Sequence, residues 1–229
     1  MKPKGVVLYE GPSVLTGDPI VAIATFKSTN RKTGDMIQTW MLRADVPPIE
    51  ASQTGKDEAI CGQCPLRRYH NGACYVVIGQ GPQNIWKSYK RGLYPLYQPS
   101  THADYFRERG LRLGAYGDPA SVPYAVWAPL VGLSTMCTGY THQYRHPNFD
   151  QRITDFCMVS THTGKESERL HAKGVSTFRV KRINDDFLPG EEPCPYTETG
   201  VTCLECGKCL GAGSANIAID VHGSTASRF

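Results

Sequence analysis

The sequence predicts an α/β protein: a partial or small (β/α) barrel, preceded by an N-terminal antiparallel β meander and followed by a cysteine-rich C-terminal metal-binding loop. Three observations carry this. The first apolar, β-branched runs are separated only by turn residues; later runs of the same kind alternate with helix-sized segments; and seven of the nine cysteines fall into two tight groups. Strands joined by turns pair antiparallel, whereas strands joined through helices pair parallel. At 229 residues, with 40% hydrophobic and 20% charged side chains, the chain can bury a full core as a single domain. It divides into the meander (1–50), the barrel-like core (51–190) and the cysteine-rich loop with the last strand (191–229).

Residues 6–9, 20–26 and 36–42 are the meander strands, punctuated by Gly11-Pro12, Gly17-Asp18-Pro19 and the turn over 30–34. Residues 74–78 are expected as a buried strand. Gly79-Gln80-Gly81-Pro82 then turns into a helix over 83–91, without the third glycine or the Lys-Ser/Thr of a phosphate-binding loop. A strand over 111–116 and a helix over 122–131, interrupted near Pro129, come next. Strands over 136–140 and 156–160 lead to a helix over 164–173. That helix carries Glu166 and Glu168 early and Lys173 late, the order its macrodipole favours. Strands over 175–180 and 217–221 complete the series.

In a (β/α) barrel the chemistry sits after the carboxyl ends of the strands. That rule selects Asp118 in Gly117-Asp118-Pro119, His142 in Thr141-His142-Gln143, His162 after Ser160-Thr161, and His222. Asp118 and His142 could serve as an acid/base pair and His162 as a ligand, all lining one cavity; the plainer alternative is that they hydrogen-bond the loop framework.

Cys194, Cys203, Cys206 and Cys209 form the stronger cysteine signal. The consecutive C-x2-C-x2-C run wraps thiolates around one metal centre, and Cys194-Pro195 resembles the Cys-Pro element of ferredoxin loops, though it lies upstream. An iron-sulfur cluster, 4Fe-4S in type, is favoured over zinc, whose structural sites join two separate C-x2-C knuckles. Cys61, Cys64 and Cys74 form a three-thiol group with an open fourth position. His70, Cys137, Cys157 or a small molecule could fill it, and a Cys3His zinc loop with His70 is the alternative. Cys137 and Cys157, within strands, also read as small buried hydrophobes. No charged n-region with an apolar h-region directs the chain to an oxidising compartment, so reduced thiols are expected rather than disulfides.

No apolar run approaches the roughly 20 residues of a membrane helix, so a soluble, cytoplasmic chain without membrane partners is expected. The net charge of +4 is mild. Lys87, Lys90, Arg91, Arg107, Arg109 and Arg112 interleave with Tyr89, Tyr94, Tyr97 and Tyr105, a mixture that can hold single-stranded nucleic acid or pack as an ordinary solvated face. Lys173, Arg179, Lys181 and Arg182 form a second basic group.

The segments from Cys64-Pro65 to Cys74-Tyr75, from Leu113 to Pro119, from Thr138 to Gln143 and from Cys194-Pro195 to Cys209 resemble those of uncharacterised bacteriophage-encoded cysteine-rich proteins, themselves distantly similar to radical-SAM-type β/α barrels. The resemblance implies a phage protein working in the host cell cytoplasm, a β/α barrel and an iron-sulfur site. The radical-SAM spacing C-x3-C-x2-C and a Gly-Gly-Glu strand end are both absent, so S-adenosylmethionine is not expected as a cofactor. Two functions fit: an iron-sulfur enzyme acting on a nucleotide or nucleic acid, and a non-catalytic, zinc- or iron-sulfur-stabilised protein that interferes with a host complex by binding a host protein.

Overall fold

The computed structural model describes residues 2–229. Strands β1 (Gly5–Pro12), β2 (Pro19–Thr25) and β3 (Ile37–Arg43) form the expected antiparallel meander. β2 is buried along its whole length after Pro19, as the run Ile-Val-Ala-Ile-Ala-Thr requires of a strand flanked on both sides. β3 then pairs parallel with β4 (Gly110–Tyr116), and β4 with β5 (Met136–Thr138), giving one sheet in the order β1-β2-β3-β4-β5. A second sheet contains β6 (Tyr140–Thr141), β7 (Met158–Thr161), β8 (Thr177–Lys181), β9 (Glu191–Pro193) and β10 (Asn216–Asp220). Its order is β6-β7-β8-β10-β9 and every pair is parallel.

The crossover from β3 to β4 carries helices α1 (Pro48–Thr54), α2 (Glu58–Cys61), α3 (Gly81–Lys90) and α4 (Pro99–His102). α5 (Tyr124–Leu133) joins β4 to β5, and α6 (Gly164–His171) joins β7 to β8. Two one-turn helices, α7 (Tyr196–Thr199) and α8 (Cys203–Cys206), lie between β9 and β10. α6 starts on Thr163, whose side chain accepts from the Glu166 amide, and α8 starts on a complete Thr202/Glu205 capping box. The main core lies on the first sheet and includes Trp127 of α5 and Phe106, both fully buried. A smaller core of Met158, Phe178, Cys194, Ile217 and Ile219 belongs to the second sheet.

Only Gly139 separates β5 from β6, so the chain crosses between sheets in a single step. A Cβ at this position would stand 2.6 Å from Cys157 Sγ and 3.0 Å from Leu113 Cβ. Gly139→Ala is therefore expected to cost about 1–3 kcal/mol through overpacking. Thermal denaturation reads this directly, and an unchanged midpoint would show that the crossing is not close-packed.

The architecture is mixed α/β with two five-stranded sheets, and the pairing of the described strands does not run round into a closed barrel. One expected element is absent: residues 74–78 form no strand. Side chains satisfy that backbone instead, with Thr225 Oγ1 donating to the Cys74 carbonyl at 2.9 Å and Arg68 Nη2 to the Val76 carbonyl at 2.8 Å. The expected strand over 136–140 is split at Gly139, and the short strand β9 was not anticipated. Tyr89, Tyr94, Tyr97 and Tyr105 pack against the main core, with Tyr105 stacked on Phe26 at 4.5 Å. In the second basic group Arg179 is buried on Glu191 and Lys181 on Asp220. Among the described residues no helix is long and apolar enough to cross a membrane.

Candidate functional site

Successive residues of a strand point to opposite faces, so positions two apart share a wall. Arg112, Gly114 and Tyr116 of β4, Tyr140 of β6, Ser160 of β7, Phe178 and Val180 of β8 and Ile219 of β10 all line one cavity of about 300 Å³. Cys61, Cys64 and Cys74 border it beside Gly117, Asp118 and His142, which follow the carboxyl ends of β4 and β6. Cys203 also borders it. That residue, with Cys194, Cys206 and Cys209, lines a smaller adjoining pocket beside Met136, Thr138 and Ile217, near the amino ends of β5 and β10. Tyr140 and Lys32 face both spaces.

The three-thiol end is held by a buried framework. Arg67 donates to Asp57 from Nε (3.0 Å) and Nη2 (2.7 Å), and also to the carbonyls of Gly55 (2.6 Å) and Gly62 (3.0 Å). Gln143 donates to the Cys61 carbonyl at 2.8 Å and accepts from the Gln63 amide at 3.1 Å, tying the cysteine turn to the end of β6. Asp118 accepts from the Ala120 amide (3.0 Å), the His142 amide (2.7 Å) and Gln143 Nε2 (3.4 Å). Its carboxylate thus joins the ends of β4 and β6, with His142 Nδ1 only 3.8 Å away. Burial pushes the Cys61 thiol well up, with Asp57, Cys64 and Cys74 adding in the same direction. Burial also raises Cys74, against the Val76 amide.

The histidine beside the first cysteine group is His142. His70 is exposed at the end of a 3-10 turn and does not border the cavity. Burial alone would lower His142, but Cys64 and Asp118 outweigh it and raise the imidazole to about 10. His162 does not border the cavity; its ring stacks on His142 at 5.1 Å, with both ring nitrogens buried and unpartnered. Burial, then the His142 charge, lowers it to about 3. With a folded pKa below the ordinary 6.5, His162 stabilises the protein fully above about pH 6.5 and progressively less as the pH falls toward about 3. This group alone is expected to remove about 2 kcal/mol between pH 8 and pH 5. His162→Phe should make the stability-pH profile shallower by that amount in denaturant titrations, and parallel profiles would rule out a neutral, buried His162.

The second group is set in the same way. The amide of Cys203 donates to the Lys32 carbonyl at 2.8 Å, docking α8 on the turn after β2. Burial raises Cys203, opposed by Arg112 and Lys32, and pushes Cys209 up to about 12, opposed by the neighbouring Tyr140 hydroxyl and Arg112. Cys137 and Cys157 lie in the main core, where burial pushes Cys137 up to about 12 and Cys157 well up. Neither borders the cavity.

Among the described residues no group of three or more His, Cys, Asp or Glu side chains is arranged to hold a single metal ion. Each cysteine group does have a buried hydroxyl without a partner beside it: Tyr116, whose charge neighbours are Cys61, Asp57 and Cys74, and Thr138 in the second pocket. A buried hydroxyl left unpaired costs roughly 1–3 kcal/mol, and an anionic thiolate or sulfide would supply the missing acceptor at either position. Comparison with known proteins finds no matching family model, no matching curated protein and no matching solved structure.

Of the site residues Gln143, Tyr116 and Arg112, the first stands in the strand-end segment Thr141-His142-Gln143 without a role of its own, and the other two lie within β4, where strand-end reasoning does not look. Two of them carried a usable signal, because Arg112 and Tyr116 stand four apart in one strand and must share a face.

Proposed function

We propose that the protein is an iron-sulfur enzyme whose active site is the cavity between the two cysteine groups. The observation that carries this reading is convergence: thiols from separate segments, Cys61, Cys64, Cys74 and Cys203, border one cavity together with Asp118 and His142. Cys61, Cys64 and Cys74 would hold one centre, and Cys194, Cys203, Cys206 and Cys209 a second, structural or electron-relaying one. A single zinc ion needs its four donors to converge on one point, with sulfur about 2.3 Å away. A multi-iron cluster takes each thiolate on a different iron, so its donors stand around a space. Thiols spread along cavity walls suit the second requirement, as does the C-x2-C-x2-C run.

When bound, such a cluster supplies one-electron transfer or an open iron position. The chain's own residues would exclude water with the Phe178, Val180 and Ile219 wall, hold Cys61 and Cys64 through Gln143 and Arg67, and keep a charged imidazole at His142 next to the Asp118 carboxylate. A cavity of about 300 Å³ admits a nucleotide-sized molecule or one flipped-out base, and not a duplex. The partial barrel remains our reading of how the parallel strands enclose it.

Metal and acid-labile sulfide analysis of anaerobically purified protein tests the proposal. Iron with matching sulfide and a broad absorbance shoulder at the blue end of the visible supports it. A colourless protein with stoichiometric zinc, or no metal, sinks it and favours the non-catalytic binding protein.

A further inference from the structure

Among the described residues four arginines are buried: Arg43, Arg67, Arg112 and Arg179, each less than one-tenth exposed. Three have carboxylate partners, Arg43 on Asp18 and Asp45, Arg67 on Asp57, and Arg179 on Glu191. Buried Lys181 likewise pairs with Asp220. Arg112 is 7% exposed, and among the described residues no carboxylate pairs with it. It is also the one of the four that borders the cavity.

Its guanidinium lies 4.4 Å from the centre of the Tyr140 ring, with the Tyr75 and Tyr140 side chains and the Cys203 thiol as its near polar neighbours. Lys32, a second cation bordering the cavity, sits over the Tyr196 ring at 5.4 Å, and among the described residues no carboxylate pairs with it either. Asp118 is the one Asp or Glu side chain bordering the cavity among the described residues, and its oxygens are already taken by the amides of Ala120 and His142 and by Gln143. A charge removed from water is retained when something pairs with it. The guanidinium fork matches a carboxylate or phosphate with two parallel N–H donors.

We infer that Arg112 is the anchor for an oxyanion group, carboxylate or phosphate, of a small-molecule ligand bound in the cavity. Arg112 lies near the start of β4 and Asp118 follows its carboxyl end, so a ligand held at Arg112 by its oxyanion shares the cavity with Tyr140, Phe178, Cys64 and His142. An apolar or aromatic body suits that wall. The inference rests on the enzyme reading only in calling this ligand a substrate; the anion site itself stands without a metal.

The test uses the full chain, purified anaerobically, with inorganic phosphate and benzoate as probes at constant ionic strength. Calorimetry and thermal shift are read on wild type, Arg112→Met and Arg112→Lys, with metal content measured on each. Saturable binding of at least one probe to wild type is expected. Arg112→Met should show none. Arg112→Lys should bind at least about tenfold more weakly, having lost the fork. Phosphate and benzoate arms separate the two oxyanion sources. No binding to wild type, binding indifferent to Arg112, or loss of metal in Arg112→Met would each overturn the inference, the last by showing that the charge serves a cysteine centre. Should Arg112→Met fail to fold, Arg112→Lys decides alone: unchanged affinity overturns the inference. A metal-free wild type that still binds phosphate through Arg112 would sink the iron-sulfur reading and leave the anion site intact.

Discussion

Cys206→Ser is expected to empty the second of the two proposed cysteine centres and to loosen everything between β9 and β10. Cys203 and Cys206 bracket α8, a single turn with no buried residue, and a segment of that kind has little packing of its own. In such loops the free energy of metal binding is folding free energy. Serine keeps the volume and removes the thiolate. With one ligand of four gone, a loss of about 4 kcal/mol lowers the melting temperature of a chain this size by roughly 10 °C. Metal content should fall by one centre's worth while the three-thiol group keeps its own. Unchanged metal in this variant would end the assignment of these four cysteines to one centre.

Asp57→Ala carries the next largest effect, and through a different cause. Asp57 and Arg67 are buried at 3% and 5% exposure, and removal of the carboxylate leaves a guanidinium stranded among backbone carbonyls. Breaking a buried pair from one side costs about 3–5 kcal/mol. The same guanidinium holds the carbonyls of Gly55 and Gly62 on either side of α2, so the Cys61–Cys64 turn loses its fixed position together with the stability. The expected signature is selective: metal lost from the first group, retained in the second. The double variant Asp57→Ala/Arg67→Met should regain part of the stability, because no buried charge remains, without regaining the metal. Equal loss from both groups would mean that Asp57 acts through global unfolding alone.

The meander and the strand-helix alternation were legible in the chain because they rest on short-range patterns. The run 20–26 is β-branched or apolar, the run 111–116 is apolar apart from Arg112, both are bounded by turn residues, and the helix over 164–173 announces itself by charge order. Residues 74–78 have the same composition as a strand, yet the Cys74 and Val76 carbonyls are taken by Thr225 and Arg68, partners that periodicity cannot reveal. The same limit explains His70 and His142. His70 lies close to the cysteines in sequence, but the imidazole that reaches Cys64 comes from the end of β6, and only the parallel pairing of distant strands puts it there. The seven grouped cysteines stood out by spacing. What they face, an unpaired arginine and a lone tyrosine hydroxyl, depended on which side of β4 turned inward.

β10 follows β9 in the chain but lies between β8 and β9 in the sheet. β9 therefore has no neighbour to pair with until β10 has arrived, and every one of Cys194, Cys203, Cys206 and Cys209 lies in the connection between the two. During synthesis, when earlier parts of a chain fold first, the four thiols emerge before the strand that fixes their ends. Loop closure and strand insertion then become one event. A metal captured early would shorten the search by drawing the connection together before β10 inserts, since closing a loop is an entropic cost that a clip removes. On the metal-binding reading proposed above, a chain starved of metal would complete its first sheet and leave the edge of its second open beyond β8, the arrangement in which unpaired strands meet one another and aggregate.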